Sequence, residues 1–355
     1  MGRRHMIRIE ARDQISPMWT AIAAVAAGVL ALAALAIVIA GTRTPILRGF
    51  ELIATGAFGS LAALEQTVAC MALLILAGLA AGLALRVKLY NFGAPGQMQA
   101  GALAALAVAG AVGLPAGLML PLMLAAGACG GAILMLVPAL LWVGRGTDTA
   151  VITLLFNAMM AIVVSALLTG SPAGPALAGL PITIPLPLFG PELGAYAGLF
   201  LAVLVAVLVF FMLDFTLWGF DIRATAGNPV AAGFAGIPVT AVLLRVGLMS
   251  GALAGLAGAL MLALLRSRGI ADFLPGLGYA GIVVAVLAAL SPLAVVFAAL
   301  FIGAVLTGVE SMSSAIGLSA SLADGAIGLM LIMALIGDAL VRYRVRWIRV
   351  KAVAA

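Results

Sequence analysis

The chain has 355 residues, of which 65% are hydrophobic and 8% are charged, and its mean hydropathy is +1.30. A soluble globular protein carries about 25% charged residues, so this composition excludes a soluble globule and predicts an all-α, polytopic integral membrane protein. The formal net charge of +6 fits the bias of basic residues toward one side of a membrane, and we do not expect nucleic-acid binding.

About ten apolar stretches approach the length of roughly 20 residues with which a helix crosses a bilayer. The sequence therefore predicts about ten transmembrane helices. Those at 97–113, 277–291 and 292–309 are short and rich in glycine, so we expect some of them to be broken or re-entrant. In chain order the stretches lie at 18–40, 65–85, 97–113, 117–141, 149–169, 194–215, 239–264, 277–291, 292–309 and 322–341.

Basic residues flank these stretches unevenly. An even number of spans puts both termini on one side, and placing that side in the cytoplasm collects most of the arginines there, as the positive-inside rule prefers. We therefore expect a cytoplasmic N-terminal arm at 1–17, a transmembrane domain at 18–341 and a basic cytoplasmic tail at 342–355. No clear cleavage site follows the first stretch, which is expected to remain as a membrane anchor.

Two longer segments interrupt the apolar pattern. The segment at 170–194 contains six prolines and is expected to form a loop on the outer face. The segment at 216–238 carries helix signals of its own: Asn228 suits an N-cap, Pro229 the first helical position, and Gly236 the left-handed position after the helix. The seven residues between these caps would form a helix of about 10 Å, too short to cross a membrane but able to contact a soluble partner. An ordinary capped loop is the alternative.

The residues that usually carry chemistry are scarce. His5 is the only histidine, so a histidine-based metal site or catalytic dyad has no support. The run Gly276-x-Gly278-x-x-Gly281 has the spacing of a dinucleotide fingerprint, but it follows no strand and leads into an apolar span. The two lysines do not belong to a phosphate-binding loop. We expect no catalytic residue, no metal site and no cofactor on this chain.

Polar residues within the apolar region are the remaining candidates. No predicted span carries a central pair of acids of the kind that proton or sodium coupling uses, which favours a separate energy source. Asn91, Gly93, Gly96 and Gln97 belong to a turn directly before an apolar helix, and Asn157 is a lone amide inside a span. Each amide could form a hydrogen bond between helices or could line a path for a polar solute.

Several segments together resemble one protein family. They are Asn-Phe-Gly-Ala-Pro-Gly-Gln at 91–97, the segment 153–157, Arg-Ala-Thr-Ala-Gly-Asn-Pro-Val-Ala-Ala at 223–232 followed by Gly236 and Ile237, the segment 250–258, and the residues from 278 onward. In this order they look like the permease subunits of ATP-binding-cassette (ABC) importers, in the simple-sugar and nucleoside branch of the group that also serves branched-chain amino acids. Pro95 and Val230 stand where family members commonly have Glu.

The resemblance implies a type II importer fold in which 228–237 is the coupling helix, seated in a groove of a cytoplasmic ATPase subunit that binds ATP and Mg²⁺. It also implies a second permease subunit, homologous but not identical, a periplasmic or lipid-anchored solute-binding protein, contact with membrane lipid, and a place in the bacterial inner membrane. The solute would be a nucleoside or a simple sugar. The residues expected to contact or position the ATPase are Arg223, Gly227, Asn228, Pro229, Ala231, Ala232, Phe234, Gly236 and Ile237.

Two other function classes compete with this interpretation. An ion-coupled secondary transporter of a small polar solute is the main alternative, and a stand-alone membrane enzyme is the weaker one. Dependence of uptake on ATP or on an ion gradient would separate the first alternative from the importer.

Overall fold

The structure is a computed structural model that describes residues 3–11, 17–42, 44–111, 115–169, 190–264, 276–317 and 343–351, together with scattered helical positions between 325 and 339. The described residues from 17 to 317 form helices and some of the short connections between them. The prediction of an all-α membrane region is therefore confirmed. The proline-rich loop predicted at 170–194 lies outside the described residues up to position 189.

The helices follow one another along the chain, and a strand lies near each end. The strands are β1 (Arg3–Ala11) and β2 (Tyr343–Lys351). The helices are α1 (Pro17–Gly41), α2 (Ile46–Phe58), α3 (Leu61–Arg86), α4 (Ala94–Ala111), α5 (Ala116–Arg145), α6 (Thr149–Thr169), α7 (Gly190–Phe215), α8 (Leu217–Gly227), α9 (Pro229–Phe234), α10 (Val239–Leu264), α11 (Gly276–Leu287) and α12 (Pro292–Ala315).

Six helices in the described part of the chain are long and apolar enough to cross a membrane, or seven if the bent pair of α1 and α2 counts as one span. The six are α3, α5, α6, α7, α10 and α12. Helix α11 has 12 residues and is about 18 Å long, so it cannot cross alone, as the shortness of 277–291 predicts. Helix α12 is continuous over 24 residues. Most of 322–341 lies outside the described residues, and the count of ten spans stays a prediction.

Helices α3 and α10 form the centre of the bundle. In α3 89% of the most apolar window is buried, and in α10 78%, whereas in α6 only 17% is buried. Helices α5, α6 and α7 consequently turn apolar faces outward. In a membrane protein such faces meet lipid or another subunit, so outward exposure of large apolar side chains is expected there.

Close approach of α5 and α10 depends on glycine. A Cβ atom on Gly255 would collide with the carbonyl oxygen of Gly127, and one on Gly131 would collide with that of Gly251. The Gly-x-x-x-Gly pairs of the two helices therefore face each other and bring the backbones together, which is the packing that this spacing predicts.

The chain ends form an element that the sequence interpretation missed. Strands β1 and β2 pair antiparallel, with Arg3 opposite Lys351 and Ala11 opposite Tyr343. An arm and a basic tail were assigned there without secondary structure, but apolar and charged residues alternate in parts of both segments, which is typical of strands.

Candidate functional site

Helices α8 and α9, with the residues that cap them, form a compact unit at 216–237, which we call the loop module. Thr216 caps α8, because its Oγ1 accepts a hydrogen bond of 3.3 Å from the Gly219 amide. A Cβ atom at position 219 would collide with the carbonyl oxygen of Leu213, so glycine lets α8 begin close to the end of α7. The sequence predicts one short helix in this segment, and α8 is a second one that it did not.

The predicted caps of α9 are confirmed. The Asn228 side-chain oxygen accepts hydrogen bonds of 3.0 Å from the Val230 amide and 3.1 Å from the Ala231 amide, and Pro229 occupies the first turn. Gly236 has a φ of +85°, and the Ile237 amide bonds the carbonyl of Ala232 at 3.0 Å. This is a Schellman ending, and it fixes a helix of six residues.

The loop module presents an apolar surface. Phe234 is 90% exposed, Val230 67% and Phe220 56%. An open groove of about 420 Å³ lies between α8 and α9. Its lining residues are Phe220, Ala224, Asn228, Ala231, Ala232, Ala235 and Ile237. A prominent exposed aromatic ring beside an apolar groove is typical of a surface that another molecule covers.

Polar contacts attach the loop module to the spans. The Arg223 guanidinium donates a hydrogen bond to the carbonyl of Leu213 and lies 3.6 Å from the Asp214 carboxylate, both near the end of α7. The guanidinium of Arg245, on α10, lies 5.5 Å from the centre of the Trp218 ring. Arg223 therefore holds α8 against α7, while Phe234 points away from the bundle.

Asn91 and Gln97 form a closed amide pair. Asn91 Nδ2 donates to Gln97 Oε1 and Gln97 Nε2 donates to Asn91 Oδ1, each at 2.9 Å. Asn91 also donates to Ser250 Oγ at 3.0 Å, and Ser250 donates to the Ala80 carbonyl at 2.8 Å. Asn91 is 5% exposed and Gln97 2%. For both residues this geometry favours a role in hydrogen bonding between helices over a place on the solute path.

Asn157 lies in a more open position. Its Nδ2 donates a hydrogen bond of 2.6 Å to the hydroxyl of Tyr279 at the start of α11, and both residues are half-buried. A Cβ atom on Gly96 would lie 2.9 Å from the Cα of Asn157, and one on Gly93 would lie 3.0 Å from the Thr153 carbonyl oxygen. The two glycines therefore seat the start of α4 against α6, next to the hydrogen-bonded pair.

The break between α11 and α12 is tied to α3. Ala289 and Leu290 have φ values of +48° and +62°, which are unfavourable for residues other than glycine. Arg86, the last residue of α3, donates hydrogen bonds of 3.3 and 2.7 Å to the Leu290 carbonyl oxygen. Neither Arg86 nor Tyr279 was singled out from the sequence. Pro292, which opens α12, was the local signal for the break.

Three comparisons with known proteins bear on these features. The model of the family described as "Branched-chain amino acid transport system / permease component" matches residues 63–335. A glucose ABC transporter permease protein of Haloferax volcanii is 33% identical over 348 residues, covering 93% of this chain and 89% of the relative. A guanosine ABC transporter permease protein of Bacillus subtilis is 28% identical and covers 86% of this chain and 90% of the relative.

A further relative is a nucleoside ABC transporter permease protein of Lactococcus lactis, 28% identical over 75% of this chain and 77% of its own length. No solved structure matches the chain at a significant level. The matches extend from α3 into the C-terminal part of the chain and so include both the loop module and the polar positions of α4, α6 and α11.

Proposed function

The chain belongs to the family of branched-chain amino acid transport system permease components and is a multi-pass ABC transporter permease, and from this premise we propose that it imports a nucleoside or simple sugar. The relatives are named for glucose, guanosine and nucleosides, which all contain a polyhydroxylated ring. A solute of this kind needs hydrogen-bonding groups and ring contacts along its path. In this proposal the chain provides the membrane passage, and ATP is hydrolysed on a separate subunit.

The exposed ring of Phe234 is the observation that supports α9 as the contact for the ATPase. A six-residue helix that is capped at both ends and displays a 90% exposed aromatic ring is a rigid projection, suited to a groove on a soluble partner. The contacts of Arg223 with α7 and of Arg245 with Trp218 join this projection to two spans. Movement imposed on Phe234 would therefore reach α7 and α10 directly. Asn228, Pro229 and Gly236 set the shape of the projection, and Ala231, Ala232 and Ile237 line the groove next to it.

The partners follow from this division of work. A separate cytoplasmic ATPase binds ATP and Mg²⁺, and a homologous second permease completes the passage against the outward apolar faces. A periplasmic or lipid-anchored binding protein delivers the solute. In this arrangement the chain lies in the bacterial inner membrane with both termini and the loop module in the cytoplasm.

Asn157 is the residue best suited to meet the solute. It is half-buried, and the Tyr279 hydroxyl to which it is bonded could exchange that partner for a solute hydroxyl. Asn91, Gly93, Gly96 and Gln97 lie close by and support this position: the glycines by close packing, the amides by their buried pair. A tyrosine ring would also stack on a flat base or on a sugar face.

The test is uptake by proteoliposomes that contain the permease, its ATPase and internal ATP, with the binding protein outside. We expect uptake to continue when a protonophore collapses the ion gradients and to stop when ATP is replaced by a non-hydrolysable analogue. Uptake that is lost with the protonophore while ATP remains would instead identify an ion-coupled secondary transporter.

A further inference from the structure

Two glutamines on α4 have the same side chain but different surroundings. Gln97 and Gln99 are both buried, with 2% and 7% of their surfaces exposed. The amide oxygen and the amide nitrogen of Gln97 are both bonded to Asn91. In the part of the chain that the structure describes, no hydrogen-bond donor reaches Gln99 Oε1, although this atom is buried. A buried amide oxygen without a donor destabilises a protein, so the presence of Gln99 calls for a reason other than packing.

Helix geometry places Gln99 between α6 and α11. Residues three and four positions apart lie on one face of a helix, so Gln99 follows Pro95 and Gly96 by one turn on the same face of α4. A Cβ atom on Gly96 would lie 2.9 Å from the Cα of Asn157, on α6. One on Gly278, in α11, would lie 2.6 Å from the ring of Pro95. This face of α4 is therefore directed toward both helices.

Gln99 lies close to the hydrogen-bonded pair of Asn157 and Tyr279. That pair joins α6 to α11, with 2.6 Å between Asn157 Nδ2 and the tyrosine hydroxyl. Because Gly96 lies level with Asn157, Gln99 lies about one helical turn beyond the pair. Asn157 and Tyr279 are half-buried, whereas Gln99 is almost fully enclosed. A solute that reached the pair would next meet the Gln99 amide.

We propose that Gln99 Oε1 accepts a hydrogen bond from a ring hydroxyl of the solute, and that Gln99 thereby selects solutes that carry a donor at that ring position. This inference rests on the proposed function and adds a residue to the solute path. Nucleosides and simple sugars carry such hydroxyls. A passing solute supplies the donor that the described part of the protein does not, and an analogue without the hydroxyl leaves the oxygen unpaired.

The first experiment compares the stability of Gln99→Met with that of Gln97→Met, its matched control. Met is apolar and close to Gln in volume, so each variant removes an amide with little change in packing. Gln99→Met removes an unpaired oxygen and should raise the thermal unfolding midpoint of the detergent-solubilised protein by at least about 2 °C. Gln97→Met leaves the Asn91 amide unpaired and should lower the midpoint by several degrees.

The sign of the stability change decides the first step of the proposal. An unchanged or lowered midpoint in Gln99→Met would show that the oxygen already has a partner, either a water molecule or another part of the chain. That result would overturn the proposal.

The second experiment measures uptake by proteoliposomes that contain the permease, its ATPase and internal ATP, with saturating loaded binding protein outside. The probes are guanosine, uridine, glucose and ribose, followed by the single-deoxy analogues of the probe that the parent carries fastest. We expect the parent to carry one analogue about tenfold more slowly, because that analogue lacks the hydroxyl that Gln99 accepts. Gln99→Met should carry the full solute about tenfold more slowly and should no longer distinguish it from that analogue.

Failure of this inference and failure of the proposed function give different results. If the parent transports a probe but Gln99→Met transports it equally fast, Gln99 does not meet the solute. A loss by the same factor for the full solute and for every analogue would likewise overturn the role of Gln99. If the parent shows no ATP-dependent uptake of any probe, the proposed function fails and this inference fails with it.

Discussion

The loop module and the Asn91–Gln97 pair are both polar interruptions of an apolar chain, but one is open and the other is closed. In the loop module the hydrogen bonds that cap α9 are made within a few residues, and the apolar Phe234 is left exposed. In the second region the amides bond each other and reach Ser250, 159 positions from Asn91, so that little is left for a partner. Local capping thus produces a surface that can bind another protein, whereas long-range pairing produces a fixed internal support.

The largest expected effect is on the open region. Phe234→Ala should weaken association with the ATPase by more than about 30-fold, because truncating a well-buried interface anchor costs over about 2 kcal/mol. Affinity of the purified permease for the ATPase is the measurement. Phe297→Ala is the control, since it removes a ring that is 75% exposed from α12, outside the loop module, and should leave that affinity unchanged. Parent-like affinity and transport in Phe234→Ala would refute the anchor role.

Substitution within the closed Asn91–Gln97 pair should lower the stability of the protein. Gln97→Ala leaves part of the buried Asn91 amide unsatisfied, which costs about 2 kcal/mol. Thermal unfolding of the detergent-solubilised protein should show a midpoint lowered by several degrees. Gln66→Ala, at an exposed position, should change stability by less than about 0.5 kcal/mol. Unchanged stability together with lost transport would move Gln97 to the solute path.

Asn157 is half-buried, so its exposure is intermediate between the open loop module and the closed Asn91–Gln97 pair. Asn157→Leu should lower transport about tenfold through loss of one hydrogen bond to the solute, while expression and ATPase affinity stay near those of the parent. Met159→Leu, an exposed and nearly volume-conserving change on the same helix, should be neutral. Normal transport by Asn157→Leu would leave the bond to Tyr279 as a contact between helices only.

A smaller effect is expected at the end of α9. Gly236→Val forces a branched residue into a left-handed conformation at a cost of about 1 to 2 kcal/mol and should weaken ATPase binding a few-fold. Gly233→Val, where a Cβ atom meets no neighbour within 4 Å and φ is helical, should change affinity little. Gly236→Asn should restore most of the affinity, because Asn tolerates the left-handed region. Equal losses of ATPase affinity in Gly233→Val and Gly236→Val would show that the left-handed ending of α9 does not determine binding.

What could be predicted from the sequence depended on the range of each interaction. Asn228, Pro229 and Gly236 were assigned correctly because their partners lie within a few residues. Helix α8 was missed because caps were sought only around 228–236, whereas the close approach of Gly219 to Leu213, which lets α8 begin so soon after α7, leaves no local cap signal of that kind.

Longer-range features left weaker signals. Asn157 and Tyr279 are 122 positions apart, and no local pattern in the sequence indicates that their side chains meet. No local pattern predicts the hydrogen bond that Arg86 donates to the Leu290 carbonyl oxygen either. The pairing of β1 with β2 did leave a trace, the alternation of apolar and charged residues, but a basic arm and tail beside a membrane also follow from topology alone.

The central claim is that the loop module is the ATPase contact, and labelling of Phe234→Cys tests it most directly. Inside-out vesicles would be treated with a membrane-impermeant maleimide, with and without the purified ATPase, and labelling of the parent would give the background from Cys70 and Cys129. The expected result is rapid labelling at position 234 from the cytoplasmic face and strong protection when the ATPase is bound. Labelling only from the opposite face, or labelling that the ATPase does not change, would contradict the account.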